Sequence, residues 1–304
     1  MSDEALIQKI IKLKKERDAV ILAHNYQIGE VQDIADFTGD SLGLSIEASR
    51  TKAKVIVFCG VYFMAETAAI ICPDRTVIIP DENAGCPMAN MITVRQLREM
   101  KKRYPEAKIV CYVNSTAAIK AESDICCTSA NAIKVVNSIS KDEQIIFIPD
   151  KSLGDFVSKK AGRGMILWDG YCPTHHRILV QDIINMKKEH PNAVVIVHPE
   201  CNADVVELAD QALSTSGMCK FARESDAKEF IIGTEIGLLH TLQKENPDKK
   251  FYPASRLADC PNMKLNTLEK ILWSLEDMVY EVTVPEDIRV KAWNTIDKML
   301  RIRD

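Results

Sequence analysis

The 304-residue chain is poor in aromatics, at 6%, and has only 12 glycines and 12 prolines. Those counts exclude collagen-like and low-complexity classes. With 46% apolar residues and a net charge of only -4, it is not a disordered chain either. No apolar run approaches the roughly 18 residues of a membrane span. The start, MSDEALIQKIIKLKKERDA, reads as a charged amphipathic helix. It has neither the apolar centre nor the cleavage site of a secretory signal. Neither G-x-x-x-x-G-K-[ST] nor G-x-G-x-x-G occurs, which excludes P-loop and Rossmann nucleotide sites. Nor is there a C-x-x-C pair of the kind zinc sites use. The mildly acidic balance offers no cationic footprint for nucleic acid or an anionic membrane surface. Ten cysteines in a chain this long do not make a disulfide scaffold. Without a secretion signal the expected compartment is the reducing cytoplasm, where cysteine means metal, catalysis or core.

What is present is a repeat. KKERDAVILAHNYQ, KKRYPEAKIVCYVN and KKEHPNAVVIVHPE each join a basic helix end to a β-branched strand with a polar tip. The tips carry His24 and Tyr26, Tyr112 and Asn114, His198 and Glu200, in steps of 88 and 86 residues. Seventeen residues beyond each tip a hydroxyl precedes a helical stretch: Ser41, Ser129 and Thr215. Further apolar strands follow (VIVFCG, IIFIPD, FIIGTE, then TVIIP, MILWDG, KFYPAS), and each unit closes on Cys-Pro, at Cys86, Cys172 and Cys260. Strands alternating with helices predict βαβ units, and continuous apolar strands predict parallel sheets covered on both faces. The expected fold is α/β: three similar three-layer αβα domains with parallel sheets around a pseudo-threefold axis, plus C-terminal helices. The units are expected at 1–91, 92–176 and 177–264, with a helical tail at 265–304 packing on the first.

Ligands bind open parallel sheets at the carboxyl ends of the strands. A pseudo-threefold arrangement points those ends at one centre, where equivalent residues converge. Any single cysteine is most often a buried hydrophobe. Three at one register of a repeat, each in a loop before proline, point to a metal or iron–sulfur group. Three ligands on a [4Fe–4S] cluster leave one iron open to act as a Lewis acid. The other seven read as structural: Cys59 and Cys111 in strands, Cys72 in a turn, Cys126, Cys127 and Cys219 in or beside helical stretches, and Cys201 after a strand tip. A hydroxyl before a helix is usually a cap, yet a helix N-terminus is also an anion site. Three facing one pocket suit small polyanions such as carboxylates or a phosphate monoester. The tips supply proton-transfer groups. Glu200 is the preferred base, expected to have a raised pKa among desolvating walls. Of His175 and His176, one is expected to face the site and the other the surface.

These residues resemble the quinolinate synthase family nearly end to end. The likeness rests on ILAHNYQ, VQDIADFTGDSL, VIVFCGVYFMAET, DENAGCPMANM, YVNSTAAIKAESD, TSANA, WDGYCPTHHRI, HPEC, STSGM and DCPNMKLNTLEK. It implies one [4Fe–4S] cluster per chain on Cys86, Cys172 and Cys260, with one open iron. It implies condensation of iminoaspartate with dihydroxyacetone phosphate to quinolinate, losing phosphate and water, in de novo NAD biosynthesis. The implied binding residues are His24, Ser41, Tyr112, Asn114, Ser129, His198, Glu200, Ser214 and Thr215. Glu200, Tyr26, His24, His198 and Tyr112 are the expected catalytic groups. A transient contact with an iminoaspartate-producing enzyme is the one protein partner expected. The C-x-x-C-x-x-C run of some members is replaced here by Cys260-Pro261-Asn262-Met263. The rival readings are a cluster-dependent hydro-lyase, a thiol-cycling metal or redox sensor, and an inert α/β scaffold.

Overall fold

The computed structural model describes residues 3–302. Met1 and Ser2 of the expected first helix, and Arg303 and Asp304 of the expected tail, lie outside the described residues. The first unit holds α1 (Asp3–Glu16), β1 (Ala19–His24), α2 (Gly29–Ile34), β2 (Phe37–Gly39), α3 (Ser41–Arg50), β3 (Val55–Cys59), α4 (Tyr62–Ile71) and β4 (Thr76–Ile78). The second repeats that order as α5 (Val94–Arg103), β5 (Lys108–Tyr112), α6 (Ala117–Ala121), β6 (Ile125–Cys127), α7 (Ala132–Ser138), β7 (Ile145–Ile148), α8 (Lys151–Ala161) and β8 (Ile166–Leu167). The third is α9 (Val180–Glu189), β9 (Val194–Val197), α10 (Ala203–Glu207), β10 (Gln211–Ala212), α11 (Thr215–Glu224), β11 (Glu229–Gly233), α12 (Leu238–Glu245) and β12 (Lys250–Pro253). Then come α13 (Leu268–Asp277) and α14 (Glu286–Arg301).

Each unit is one all-parallel sheet in the same order, β2-β1-β3-β4, β6-β5-β7-β8 and β10-β9-β11-β12, flanked by helices. The central strands are buried almost throughout, as sheets covered on both faces require. The repeat extends to individual atoms. Asp36, Asp124 and Asp210, each just before or at the start of the short edge strand, accept a hydrogen bond at 2.8 Å from the backbone N–H of Ile21, Ile109 and Val195. The same three aspartates donate their own backbone N–H to those residues' carbonyls. This hook satisfies an edge that would otherwise leave buried polar groups unpaired.

Several expectations are corrected. Cys126 and Cys127 lie in β6, an edge strand of three residues that their helix-like neighbours conceal, and not in a helix. The helical tail expected over 265–304 is interrupted after α13. Met278 turns left-handed (φ 55°) and stops the helix, after which Tyr280 and Val282 bond to Ile79 and Val77 at the edge of the first sheet. Of the tail expected on the first unit, α13 lies against α1, but α14 lies chiefly against α6 and β6 of the second. There its buried Ala292, Thr295, Ile296 and Met299 join the core.

Candidate active site

The carboxyl ends of β1, β5 and β9 open onto one cavity of about 970 Å³, counting its mouth. His24, Tyr26, Ser41, Tyr112, Asn114, Ser129, His198, Glu200, Thr215, Cys86, Cys172 and Cys260 all line it, so the three units deliver their equivalent residues to one place. Ser214 does not line it. Its hydroxyl instead caps α11, accepting from the Gly217 N–H at 3.2 Å. Cys201 is also absent from the wall, with its thiol against the Gly233 carbonyl.

The three Cys-Pro pairs share a local design, a 3-10 turn that follows at once: Met88–Asn90, His175–Arg177 and Met263–Leu265. Proline fixes φ where the chain turns inward, and the tightened turn aims backbone N–H groups at the sulfur, from Ala89, His175 and Met263. Cross-links tie the loops together. Asn262 donates to the Gly85 carbonyl at 2.6 Å, and the Trp168 indole to the Met91 carbonyl at 3.0 Å. Among the described residues, Cys86, Cys172 and Cys260 are the half-buried cysteines, and the other seven are buried. Burial pushes the Cys86 thiol up to about 12, Cys172 well above its ordinary value, and Cys260 upward. No neighbouring cation offsets that burial at any of the three sulfurs. A soft, positively charged group on three sulfurs would supply what is missing, and the N–H groups would satisfy the sulfurs' remaining lone pairs. The residues present fit an iron–sulfur group. Cys172, His175 and Glu200 also bring three ligand atoms within 4.8 Å of one another, but these are already joined by hydrogen bonds.

The polar wall is directional. The Tyr26 N–H donates to His24 Nδ1 at 3.1 Å, and the Glu200 N–H to His198 Nδ1 at 3.3 Å. Burial lowers both imidazoles to about 3, so both are neutral near pH 7. With Nδ1 accepting, the proton sits on Nε2. His198 directs it at Ser129 Oγ, 3.2 Å away, and His24 presents it to the cavity. Glu200 is fully enclosed. Burial alone would raise its pKa, but His175 and the Tyr112 hydroxyl, both hydrogen-bonded to the carboxylate, outweigh burial and hold it ionised, the reverse of the expected raised pKa. Tyr112 donates a very short hydrogen bond to Glu200 Oε1, and His175 Nδ1 lies 2.8 Å from Oε2. His175 Nε2 lies 2.9 Å from Thr234 Oγ1, which is 2.7 Å from the Tyr26 hydroxyl. If Nδ1–H donates to the carboxylate, Nε2 accepts from Thr234 and Thr234 accepts from Tyr26. Every proton in the chain then points toward Glu200.

His175 is thus the histidine that faces the site, while His176 turns away to Ser152 and Tyr171. Thr234 and Glu235 were not foreseen. They follow β11, one of the second strands, whose tips carry the same signal as the first. Asp40, which accepts from the Gly43 N–H, is the cap of α3, so Ser41 is free for another partner. Asn114 Oδ1 is likewise buried without a partner.

The sequence profile described as "Quinolinate synthetase A protein" matches residues 8–301. The chain belongs to the quinolinate synthase family. A quinolinate synthase of Dehalococcoides mccartyi (strain CBDB1) is 57% identical over 302 residues, covering 99% of this chain and all of that protein. That of Methanosarcina barkeri is 56% identical over 303 residues, covering 100% and 99%. That of Geobacter metallireducens is 57% identical, covering 99% of each. Among the described residues of this family member no helix is long and apolar enough to cross a membrane.

Proposed function

We propose that the chain condenses iminoaspartate with dihydroxyacetone phosphate to form quinolinate, losing phosphate and water, in de novo NAD biosynthesis. The observation that carries this is the convergence of three half-buried thiols and a ring of polar groups on one cavity, one set from each unit. Cys86, Cys172 and Cys260 would hold one [4Fe–4S] group. When bound, it supplies an open iron as a Lewis acid to polarise substrate oxygen or nitrogen. The remaining chemistry belongs to side chains. The N-termini of α3 and α11, with Ser41 and Thr215, bind anionic groups; Asn114, the Ser129 hydroxyl that accepts from His198, and the Nε2–H of His24 add neutral donors. Glu200, held as a carboxylate, takes the proton that isomerisation of the triose requires. Tyr112 and His175 keep it in place, and Tyr26, linked through Thr234, acts with His24 as a proton relay.

The three units are taken to run over 1–91, 92–176 and 177–264. Iminoaspartate hydrolyses in water, so its supply by a separate enzyme favours a transient contact between the two. A cytoplasmic location accords with ten free cysteines. The test is purification without oxygen, followed by iron, sulfide and quinolinate measurements. About four irons per chain and quinolinate formation dependent on both substrates are expected. Zinc in place of iron, or dehydration of hydroxy acids without the triose, would overturn the reading.

A further inference from the structure

We infer that Arg177 is a capture residue for the phosphate-bearing substrate at the cavity mouth, an inference that rests on the function proposed above. The substrates are anions, yet the cavity wall is short of positive charge. Glu200 is a fixed carboxylate. His24 and His198 are neutral imidazoles. The nearest interior ammonium, Lys264, is spent on Glu235 at 2.8 Å and on the Tyr26 carbonyl at 2.5 Å. Arg177 is the one arginine or lysine that lines the cavity among the described residues.

Arg177 is exposed and makes no ion pair among the described residues. Its one side-chain contact is with the Asp259 backbone carbonyl, at 3.5 Å, the limit of a hydrogen bond. The Asp259 carboxylate instead lies 3.9 Å from Lys264. Arg177 closes the 3-10 turn that starts at His175, so its backbone is anchored to the Cys172 loop while its side chain stays free at the rim. A planar guanidinium with unspent donors matches a phosphate in two-point geometry. Placed at the mouth of a low-dielectric cleft, it draws an anion in and acts on capture more than on the chemical step.

The test compares wild type, Arg177→Lys, Arg177→Gln and Arg177→Glu as cluster-loaded proteins. At low salt, kcat/KM for the triose phosphate should fall by about 5- to 20-fold in Arg177→Gln and further in Arg177→Glu, with kcat changed far less. Arg177→Lys should recover part of the loss. Raising salt should lower wild-type kcat/KM and leave Arg177→Gln nearly flat. Calorimetric binding of dihydroxyacetone phosphate, with uncharged dihydroxyacetone as control, reads the same residue without turnover. Equal kcat/KM and equal binding across the four proteins would overturn the inference. So would a loss confined to kcat. Failure of wild type to make quinolinate while Arg177 still governs phosphate binding would instead overturn the proposed function and leave Arg177 as an anion-capture residue.

Discussion

Replacing Thr234 by valine removes one hydroxyl and keeps its shape. Thr234 is 1% exposed, and its oxygen is the closer joint between Tyr26 at 2.7 Å and His175 Nε2 at 2.9 Å. Valine leaves Nε2 without its donor and Tyr26 without its acceptor. A buried polar group stripped of a partner costs about 1–3 kcal/mol. The Tyr26 hydroxyl, 3.4 Å from Nε2, can swing in and recover part of that. A net loss of about 1.4–2.8 kcal/mol in the transition state corresponds to roughly 10- to 100-fold in kcat. The measurement is quinolinate formation under anaerobic conditions, with iron and sulfide determined on the same sample. Thr234→Ser should stay close to wild type, since it restores the hydroxyl. A fully loaded Thr234→Val with kcat within about twofold of wild type would refute the directional chain from Tyr26 to Glu200.

Cys172→Ser should lose most bound iron and sulfide yet keep its circular dichroism, because Asn262–Gly85 and Trp168–Met91 tie the loops without the metal; collapse of the fold would contradict this. Glu200→Gln should keep its metal and lose turnover by about 100-fold or more, and normal turnover would remove Glu200 from the base role. For the metal-free protein, His24 and His198 have folded pKa values near 3 against about 6.5 when unfolded. The unfolded chain binds protons first, so stability is level above about 6.5 and falls as pH drops toward 3. Its slope is about 1.4 kcal/mol per pH unit for each histidine. A Tm unchanged between pH 7 and 5 would refute it. Gly237→Ala would put a Cβ 2.8 Å from Glu235 Oε2, Lys264 Nζ and the Tyr26 backbone. A stability loss of about 1–3 kcal/mol is expected by denaturant melting, and an unchanged midpoint would count against that packing.

Periodicity and register were enough to read the three units, because long apolar strands and the 88- and 86-residue steps recur three times. The edge strands escaped, since two or three residues such as Gln211–Ala212 carry no pattern of their own. Their pairing depends on the aspartate hook, which only the folded chain brings into place. The convergence of Cys86, Cys172 and Cys260 on one cavity was legible for the same reason of register. Thr234 and His175 were harder, because the repeat gives them no chemical equivalents: the other two units have Gly60 and Pro149 in place of Thr234, and Ala89 and Met263 in place of His175. The Glu200 protonation state was misjudged because burial raises a carboxylate pKa only when nothing compensates. Here His175 and Tyr112 converge on it from elsewhere in the chain. Ser214 shows the converse: it stands in a family-like STSGM run, yet its oxygen is committed to its own helix.

Each proposed sulfur ligand comes from a different unit, the last at residue 260. On the ribosome, a growing chain therefore exposes one, then two, of the three thiols for most of its synthesis. Neither partial set can grip the metal group as the finished trio does. Loading must wait until the third unit has emerged and docked. Iron content then becomes a certificate of completed assembly, and truncated products should leave the ribosome unmetallated.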